Sequence, residues 1–226
     1  MGDYMEIDTI PLKVLYEDNH LIAVVKPAGL LIQADKTGDP TLLDLVRYYL
    51  KMKYNKPGKV YLGLMHRLDR PVSGVLLLAK TSKSAARLTA AFKEGAVHKI
   101  YLAVCSPPPE PAEGILEDYL IKDQKANITK VVAISAPRAR YAKLSYKTIK
   151  RTTHNALVQI DLHTGRSHQI RVQFAHHGWP IVGDKRYGNG EDRPLALFAH
   201  RLEFIHPIHK GTVIVEAKPE KGLLAL

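Results

Sequence analysis

Polar and charged side chains interrupt otherwise apolar stretches at three places, residues 66–74, 99–101 and 163–171. In the first of these segments, Asp69 lies between Arg67 and Arg70. Positive neighbours favour the ionised form of a carboxyl group, and an ionised carboxylate on a rigid loop suits a nucleophile better than a general acid. An isolated Asp in a turn more often only caps that turn, so this interpretation depends on the other two segments.

Strand and turn signals place Asp69 on a loop between two strands. Residues 60–64 alternate as a strand that leads into the loop, and residues 75–79 form the strand that follows it. A further buried strand, 21–25, ends at the turn Lys26-Pro27-Ala28-Gly29. In the second segment, Lys99 and Tyr101 share one face of a strand over residues 100–104, because side chains alternate along a strand.

The remaining predicted elements are helices and antiparallel strands without a strict βαβ alternation. They are a helix that Thr41 caps with Asp44, a helix capped by Thr81 or Ser82 that stops at Gly95, strands 140–150 and 156–162, a helix from about His168 to His177, and a closing hairpin of residues 198–205 and 212–217. This order predicts an α+β fold with a mixed, largely antiparallel sheet and flanking helices.

The chain is long enough for one globular domain of two lobes. We expect residues 1–12 to form an amino-terminal tail and residues 13–226 to form the domain, with the proline-rich segment 106–111 as the connector between lobes. The single cysteine, Cys105, excludes an intramolecular disulfide and lies in an apolar run, where a buried, unreactive thiol is expected. No stretch approaches the roughly 20 apolar residues that span a bilayer, so a cytoplasmic location is expected.

The charge balance favours a polyanionic partner. The net charge is +11, and residues 122–151 contain nine basic residues against one acid, Asp123. This basic segment is either a surface that contacts phosphates or only a solvated face.

Four segments, in order along the chain, resemble the RluA-type pseudouridine synthase family. They are Lys26-Pro27-Ala28-Gly29, His66-Arg67-Leu68-Asp69-Arg70-Pro71-Val72-Ser73-Gly74, residues 99–103 and Thr164-Gly165-Arg166-Ser167-His168-Gln169-Ile170-Arg171. The resemblance extends over about residues 14–217. Val72 stands where the family often has Thr, a difference that we expect to affect packing only.

The resemblance implies a pseudouridine synthase fold, with two lobes around a central catalytic cleft, and an enzyme that isomerises uridines of structured RNA. It implies three catalytic residues: Asp69 as the nucleophile, Tyr101 against the flipped uracil, and Arg166. Arg166 would form an ion pair with Asp69 or hold a phosphate, and the resemblance favours the ion pair.

The resemblance also implies a set of residues that contact the RNA. Arg67 would enter the stack that the target base leaves, or would contact a phosphate. The other members of the set are His66, Arg70, Lys99, His168, Gln169 and Arg171.

The reaction needs no redox cofactor, and no metal is expected. Only about a dozen residues precede the matching pattern, so we expect no S4-type RNA-binding module, and we expect a monomer. Two alternatives stay open. One is a catalytically silent RNA-binding module, and the other is a metal-dependent hydrolase built on His163, His168, His176 and His177.

Overall fold

A computed structural model describes residues 10–35, 38–188, 190 and 192–226. The predicted tail, residues 1–12, lies mostly outside these residues. The described elements are, in chain order, β1 (Lys13–Glu17), β2 (Leu21–Lys26), α1 (Leu42–Lys53), β3 (Gly63–Leu64), β4 (Ser73–Ala79), α2 (Ser82–Glu94), β5 (His98–Cys105), β6 (Glu113–Asp123), β7 (Ile128–Val132), β8 (Arg140–Arg151), β9 (Ala156–Leu162), α3 (Gln169–His176), β10 (Leu197–Ile205) and β11 (Thr212–Glu216).

The chain forms two compact units. Unit 1 comprises Met1–Val97 and Arg201–Lys218, and unit 2 comprises His98–His200 and Pro219–Leu226. The proline-rich segment 106–111 lies inside unit 2 and does not mark the boundary between the units. The strand pairs within each unit are antiparallel, and the predicted α+β class with a largely antiparallel sheet is confirmed.

In unit 1, β2 is the middle strand between β1 and β4, and it is almost completely buried. The predicted helix starts are correct. Thr41 and Asp44 form a capping box at α1, and Thr81 caps α2. Gly95 ends α2 in a left-handed conformation, φ 75°, which glycine adopts without a steric cost.

The strand predicted over residues 60–64 is wrong in length, because only Gly63 and Leu64 pair with β4. Gly63 lies opposite Ala79, the last residue of β4, so no strand backbone remains opposite residue 62. The chain beyond Ala79 turns away, and the Lys80 amide donates to the carbonyl oxygen of His20 (2.7 Å).

In unit 2, the strands lie in the order β5, β9, β8, β6, β7. Helix α3 packs on one face, where Val172 contacts Leu120 and Ala142. The sequence analysis missed β6 and β7, as it missed β1 in unit 1. Cys105 is fully buried at the end of β5, as expected, and burial raises the pKa of its thiol to about 12.

The lengths and compositions of the described helices allow none of them to cross a membrane.

The Glu17 carboxylate joins the end of β1 to α1 and to the residue after β4. It accepts hydrogen bonds from Lys53 (2.7 Å), Lys80 (2.8 Å), Tyr49 (3.0 Å) and Tyr54 (2.7 Å). Its side chain is only 7% exposed. Burial raises the pKa of Glu17, but the hydrogen bonds from these lysines and tyrosines outweigh that effect and lower it to about 2.

We predict that Glu17→Gln lowers the free energy of unfolding at neutral pH by about 2 kcal/mol, because the buried Lys80 ammonium loses its ionic partner. The pKa of Glu17 is below its ordinary value of 4.5 in the folded protein. Its contribution is therefore complete above pH 4.5 and is lost as the pH falls towards 2. Urea unfolding at several pH values should show the two proteins converging in acid.

The control for this prediction is Glu113→Gln. Glu113 pairs with Lys147 at 3.5 Å on an exposed face, and such pairs contribute about 0–1 kcal/mol. An equal loss of stability in both variants would contradict the special role of Glu17.

Candidate active site

The loop between β3 and β4 carries Asp69 on a tight turn. The Val72 amide donates to the carbonyl oxygen of Asp69 (3.0 Å), which closes the turn over residues 69–72. Burial alternates along the loop, with Arg67 and Arg70 exposed, Leu68 buried and Asp69 half-buried. The loop is thus anchored by the buried side chain of Leu68, next to the half-buried Asp69.

Lys26, the last residue of β2, binds the backbone of this loop. It is completely buried, and its ammonium donates to the carbonyl oxygens of Pro27 (2.9 Å), Arg70 (2.9 Å) and Val72 (2.7 Å). Two of these acceptors belong to the turn that carries Asp69. Burial lowers the pKa of Lys26 to about 8; the negative charge of Asp69 opposes this shift and the positive charge of Arg70 adds to it.

Sequence analysis recognised Lys26 only as part of a matching segment and did not assign it a function. The available signal was a lysine at the end of the apolar run Leu21-Ile22-Ala23-Val24-Val25, where a buried ammonium requires acceptors.

The two arginines that flank Asp69 have different surroundings. Arg70 donates to the Gly29 carbonyl oxygen (2.9 Å) and forms an exposed ion pair with Asp39 (3.0 Å), so it joins the loop to the turn after β2. Arg67 is exposed and makes no hydrogen bond or ion pair with the described residues. A guanidinium in this state can contact a ligand without first breaking an internal bond.

His66, at the start of the loop, is bound to the body of unit 1. Its Nε2 accepts a hydrogen bond from the Leu77 amide (3.0 Å), and its ring stacks on Phe92 with centroids 4.7 Å apart. These contacts fix the path of the chain into the loop.

In unit 2, β5 carries Lys99 and Tyr101 on the same face, as predicted. Both side chains are buried, at 7% and 8% exposure, and Tyr101 pairs with Ile160 of β9. Burial lowers the pKa of Lys99, and the charge of Asp161 opposes this shift.

The segment 163–171 forms a turn and then α3, and most of its polar side chains hold that turn in place. The side-chain oxygen of Gln169, Oε1, accepts from the Thr164 hydroxyl (2.8 Å) and from the Arg166 backbone amide (2.9 Å). The Gln169 amide group donates to the Lys143 carbonyl oxygen (3.1 Å). His168, in a left-handed conformation at the helix N-cap, bonds to the Tyr187 hydroxyl (2.7 Å).

Arg171 is buried and forms a two-point ion pair with Asp184, at 2.7 and 2.8 Å. Its guanidinium lies 5.1 Å from the centroid of the Tyr187 ring. Burial raises the pKa of Asp184, but the hydrogen bond and charge of Arg171 outweigh this and lower it. Sequence analysis missed Asp184 and Tyr187, because neither lies in a segment with a recognisable spacing.

Arg166 is partly exposed, unlike the buried residues His168, Gln169 and Arg171 that follow it. Its Nε donates to the Tyr141 carbonyl oxygen (2.8 Å), and its side chain lines a cavity of about 210 Å³ together with Lys122 and Arg140. It forms no ion pair with an acidic residue of its own unit within the described part of the chain.

Three of the four histidines considered for a metal site each bond to a different residue. His163 bonds to Ser145 (3.2 Å), His168 to Tyr187, and His177 to Asp118 (3.3 Å). Within the described ranges, the group with metal-ligand spacing is Asp18, His206 and His209. There the Asp18 carboxylate already accepts from Tyr16 (2.7 Å) and from two backbone amides.

Known proteins resemble this chain over most of its length. Residues 20–176 match the model of a family described as RNA pseudouridylate synthase. The chain is 32% identical to ribosomal large subunit pseudouridine synthase D of Zymomonas mobilis, over 98% of this chain and 73% of the relative. It is 30% identical to tRNA pseudouridine synthase C of Vibrio parahaemolyticus, over 92% of this chain and 90% of the relative.

Among solved structures, human RNA Pseudouridylate Synthase Domain Containing 4 is similar, with a TM-score of 0.79 and 23% identity over 94% of this chain and 90% of that one. This likeness shows the same fold. Together with the family match over more than half of the chain, it means that the chain belongs to the RNA pseudouridylate synthase family and is an isomerase that acts on RNA.

Proposed function

We propose that this enzyme isomerises selected uridines of ribosomal or transfer RNA, with Asp69 as the nucleophile. The observation that carries this assignment is the half-buried Asp69 carboxylate on a turn whose backbone is bound by the buried Lys26 ammonium. A carboxylate fixed in this way loses little conformational entropy when it reacts.

The reaction breaks the bond from N1 of uracil to C1′ of the ribose and forms a bond from C5 to C1′. The C5 proton is released to solvent and N1 gains a proton, so atoms and electrons balance without an oxidant. Asp69 either adds covalently to the base or sugar, or removes a sugar proton to give a glycal.

Tyr101 is proposed to contact the flipped uracil and to help remove the C5 proton. The burial of Tyr101 within β5 supports this role, because a ring with so little exposure is held in one orientation by the residues around it. Lys99 shares its face and is proposed to contribute positive charge to the same surface.

Arg67 is the residue whose surroundings best support direct RNA contact within unit 1, since it is exposed and has no partner among the described side chains. Extruding a base costs a few kcal/mol, and a planar guanidinium that fills the vacated stack offsets part of that cost. The hydrogen bonds of His66, Gln169 and Arg171 within their own units support a role in holding the chain in place.

The choice between ribosomal and transfer RNA rests on the names of the relatives, one of which is a ribosomal and another a transfer RNA enzyme. The net charge of +11 supports either substrate. We propose that the protein acts in the cytoplasm, as a monomer and without a metal.

We predict that Asp69→Asn abolishes tritium release from RNA that is labelled at uridine C5. The variant keeps the size of the side chain but removes the nucleophilic charge. Asp39→Asn, which removes the exposed partner of Arg70, is the matched control and should keep nearly full activity. If the wild-type protein releases no tritium from any cellular RNA, the proposed function is wrong.

We predict that Lys26→Met lowers the free energy of unfolding by about 3 kcal/mol, because it leaves buried carbonyl oxygens unsatisfied. It should also lower kcat without changing the affinity for RNA, since Lys26 is completely buried. Lys13→Met, an exposed change on the neighbouring strand β1, is the control. Unchanged kcat in a folded Lys26→Met protein would contradict a positioning role.

The pH dependence of stability offers a second measurement on the same variant. The pKa of Lys26 is about 8 in the folded protein and 10.5 for an ordinary lysine. Between these values the unfolded state binds more protons, so Lys26 makes stability rise with pH. The free energy of unfolding of the wild type, relative to Lys26→Met, should therefore increase from pH 8 to pH 10.5.

Steady-state kinetics can distinguish the two functions considered for Arg166, an ion pair with Asp69 and phosphate binding. An ion pair with Asp69, which the resemblance implies, predicts a loss in kcat for Arg166→Ala. Its contacts within unit 2 support phosphate binding instead, and we expect a fall in kcat/KM of about tenfold to a hundredfold, mainly in KM. Arg151→Ala, which removes an arginine paired with Glu110, is the control. A loss confined to kcat would favour the ion pair.

A further inference from the structure

One cavity of unit 2 gathers positive charge without a balancing acid. It has a volume of about 210 Å³ and is lined by the side chains of Lys122, Arg140 and Arg166. Within the described part of the chain, none of these three cations forms an ion pair with an acidic residue. The lining contains no acidic residue.

The strand register brings two of these cations to one face of the sheet. Lys122 on β6 lies opposite Thr129 on β7, and Leu120, two residues before Lys122, lies opposite Arg140 on β8. Residues directly opposite each other, and residues two apart on a strand, share a face. This is the face that α3 covers, because Leu120 packs against Val172 of α3.

The turn that leads into α3 forms another wall of the cavity, through Gly165, Arg166 and Ser167, which directly precede the N-cap of the helix. The N-cap residue, His168, makes no side-chain capping hydrogen bond. The N-terminus of a helix carries partial positive charge and unsatisfied N–H groups, so it favours an anion.

A buried hydroxyl in the wall supports a ligand independently of these charges. Thr129 is 2% exposed and lines the cavity. Its amide donates to the Tyr187 hydroxyl (2.8 Å), whereas its Oγ1 has no hydrogen-bond partner among the described residues. Buried hydroxyls in folded proteins are nearly always bonded, and an anionic oxygen in the cavity that Thr129 lines would supply the missing partner.

The paired lysines of the same sheet provide the contrast. Lys143 binds Glu117 (3.0 Å) and Lys147 binds Glu113 (3.5 Å). Together with Arg151, which pairs with Glu110, three of the nine basic residues of segment 122–151 are thus neutralised along β8. The uncompensated charge of Lys122 and Arg140 is at the cavity instead.

We propose that this cavity, formed by Lys122, Thr129, Arg140 and the turn 165–167, binds one backbone phosphate of the RNA substrate. The inference rests on the proposed function for the identity of the ligand as RNA. The small volume suits a phosphate group, since pockets for larger ligands occupy about 300–1,000 Å³. Binding here would set the register of the RNA on unit 2, because phosphate contacts position a nucleic acid without reading its sequence.

The test compares two double variants of the full-length protein. Lys122→Gln/Arg140→Gln removes the cations of the cavity, and Lys143→Gln/Lys147→Gln makes the same change in net charge on paired lysines. Binding of a short fluorescent oligouridylate is measured by anisotropy over a range of salt concentrations. We expect the cavity variant to bind about threefold to tenfold more weakly than the control variant, with a salt slope smaller by about 0.7. Equal affinities and equal slopes would overturn the proposal.

Thr129→Val separates binding from folding. The change removes the unpartnered hydroxyl at constant shape, so the Tm should stay the same or rise, while the affinity for the oligouridylate should fall. An unchanged affinity would exclude the hydroxyl from the site.

Tritium release by the wild-type protein is measured in parallel. Absent release defeats the proposed function, whereas normal release with equal binding by the two double variants defeats only the phosphate site.

Discussion

The candidate nucleophile depends on a buried ammonium ion. Lys26 is completely enclosed, and its three donors are used by the carbonyl oxygens of Pro27, Arg70 and Val72. A buried charge is tolerated only where its hydrogen-bonding groups are satisfied, so the backbone of the turn and the lysine require each other. Removing either one leaves a buried polar group of the other without a hydrogen-bond partner. This mutual requirement restrains the backbone of the turn that carries Asp69.

The same principle operates in unit 2, where polar side chains of a functional segment are used to build its framework. Gln169 closes the turn before α3, and Arg171 is neutralised by Asp184 inside the unit. Arg166 is the member of this segment that remains partly exposed beside other cations. A motif rich in polar residues therefore divides into residues that shape the site and residues that can contact a ligand. Burial and the number of internal hydrogen bonds decide which is which.

The distribution of charge follows a similar division. Residues 122–151 are strongly basic in sequence, but the strands fold so that acids just before this segment reach part of it. Glu110, Glu113 and Glu117 pair with basic residues of β8. These pairs are exposed and add little stability. Lys122 and Arg140 take no part in such pairs, and both line the cavity.

The sequence by itself determined the α+β class, the capped helices and most strands, because each of these depends on residues that are close in the chain. It also identified Asp69 as the candidate nucleophile, through four segments whose order along the chain resembles a known family. Apolar runs, capping residues and the spacing of the Asp69 segment are local signals. It did not reveal β6 and β7, where charged residues on an exposed face obscure the alternation, nor the short length of β3, which depends on where its partner β4 ends. Only the tertiary structure decided that Lys26 supports the Asp69 turn, that Arg171 forms an ion pair with Asp184, and that Arg140 and Lys122 line the same cavity. Those contacts join residues far apart in sequence, and burial, which decides their strength, is a property of the folded chain.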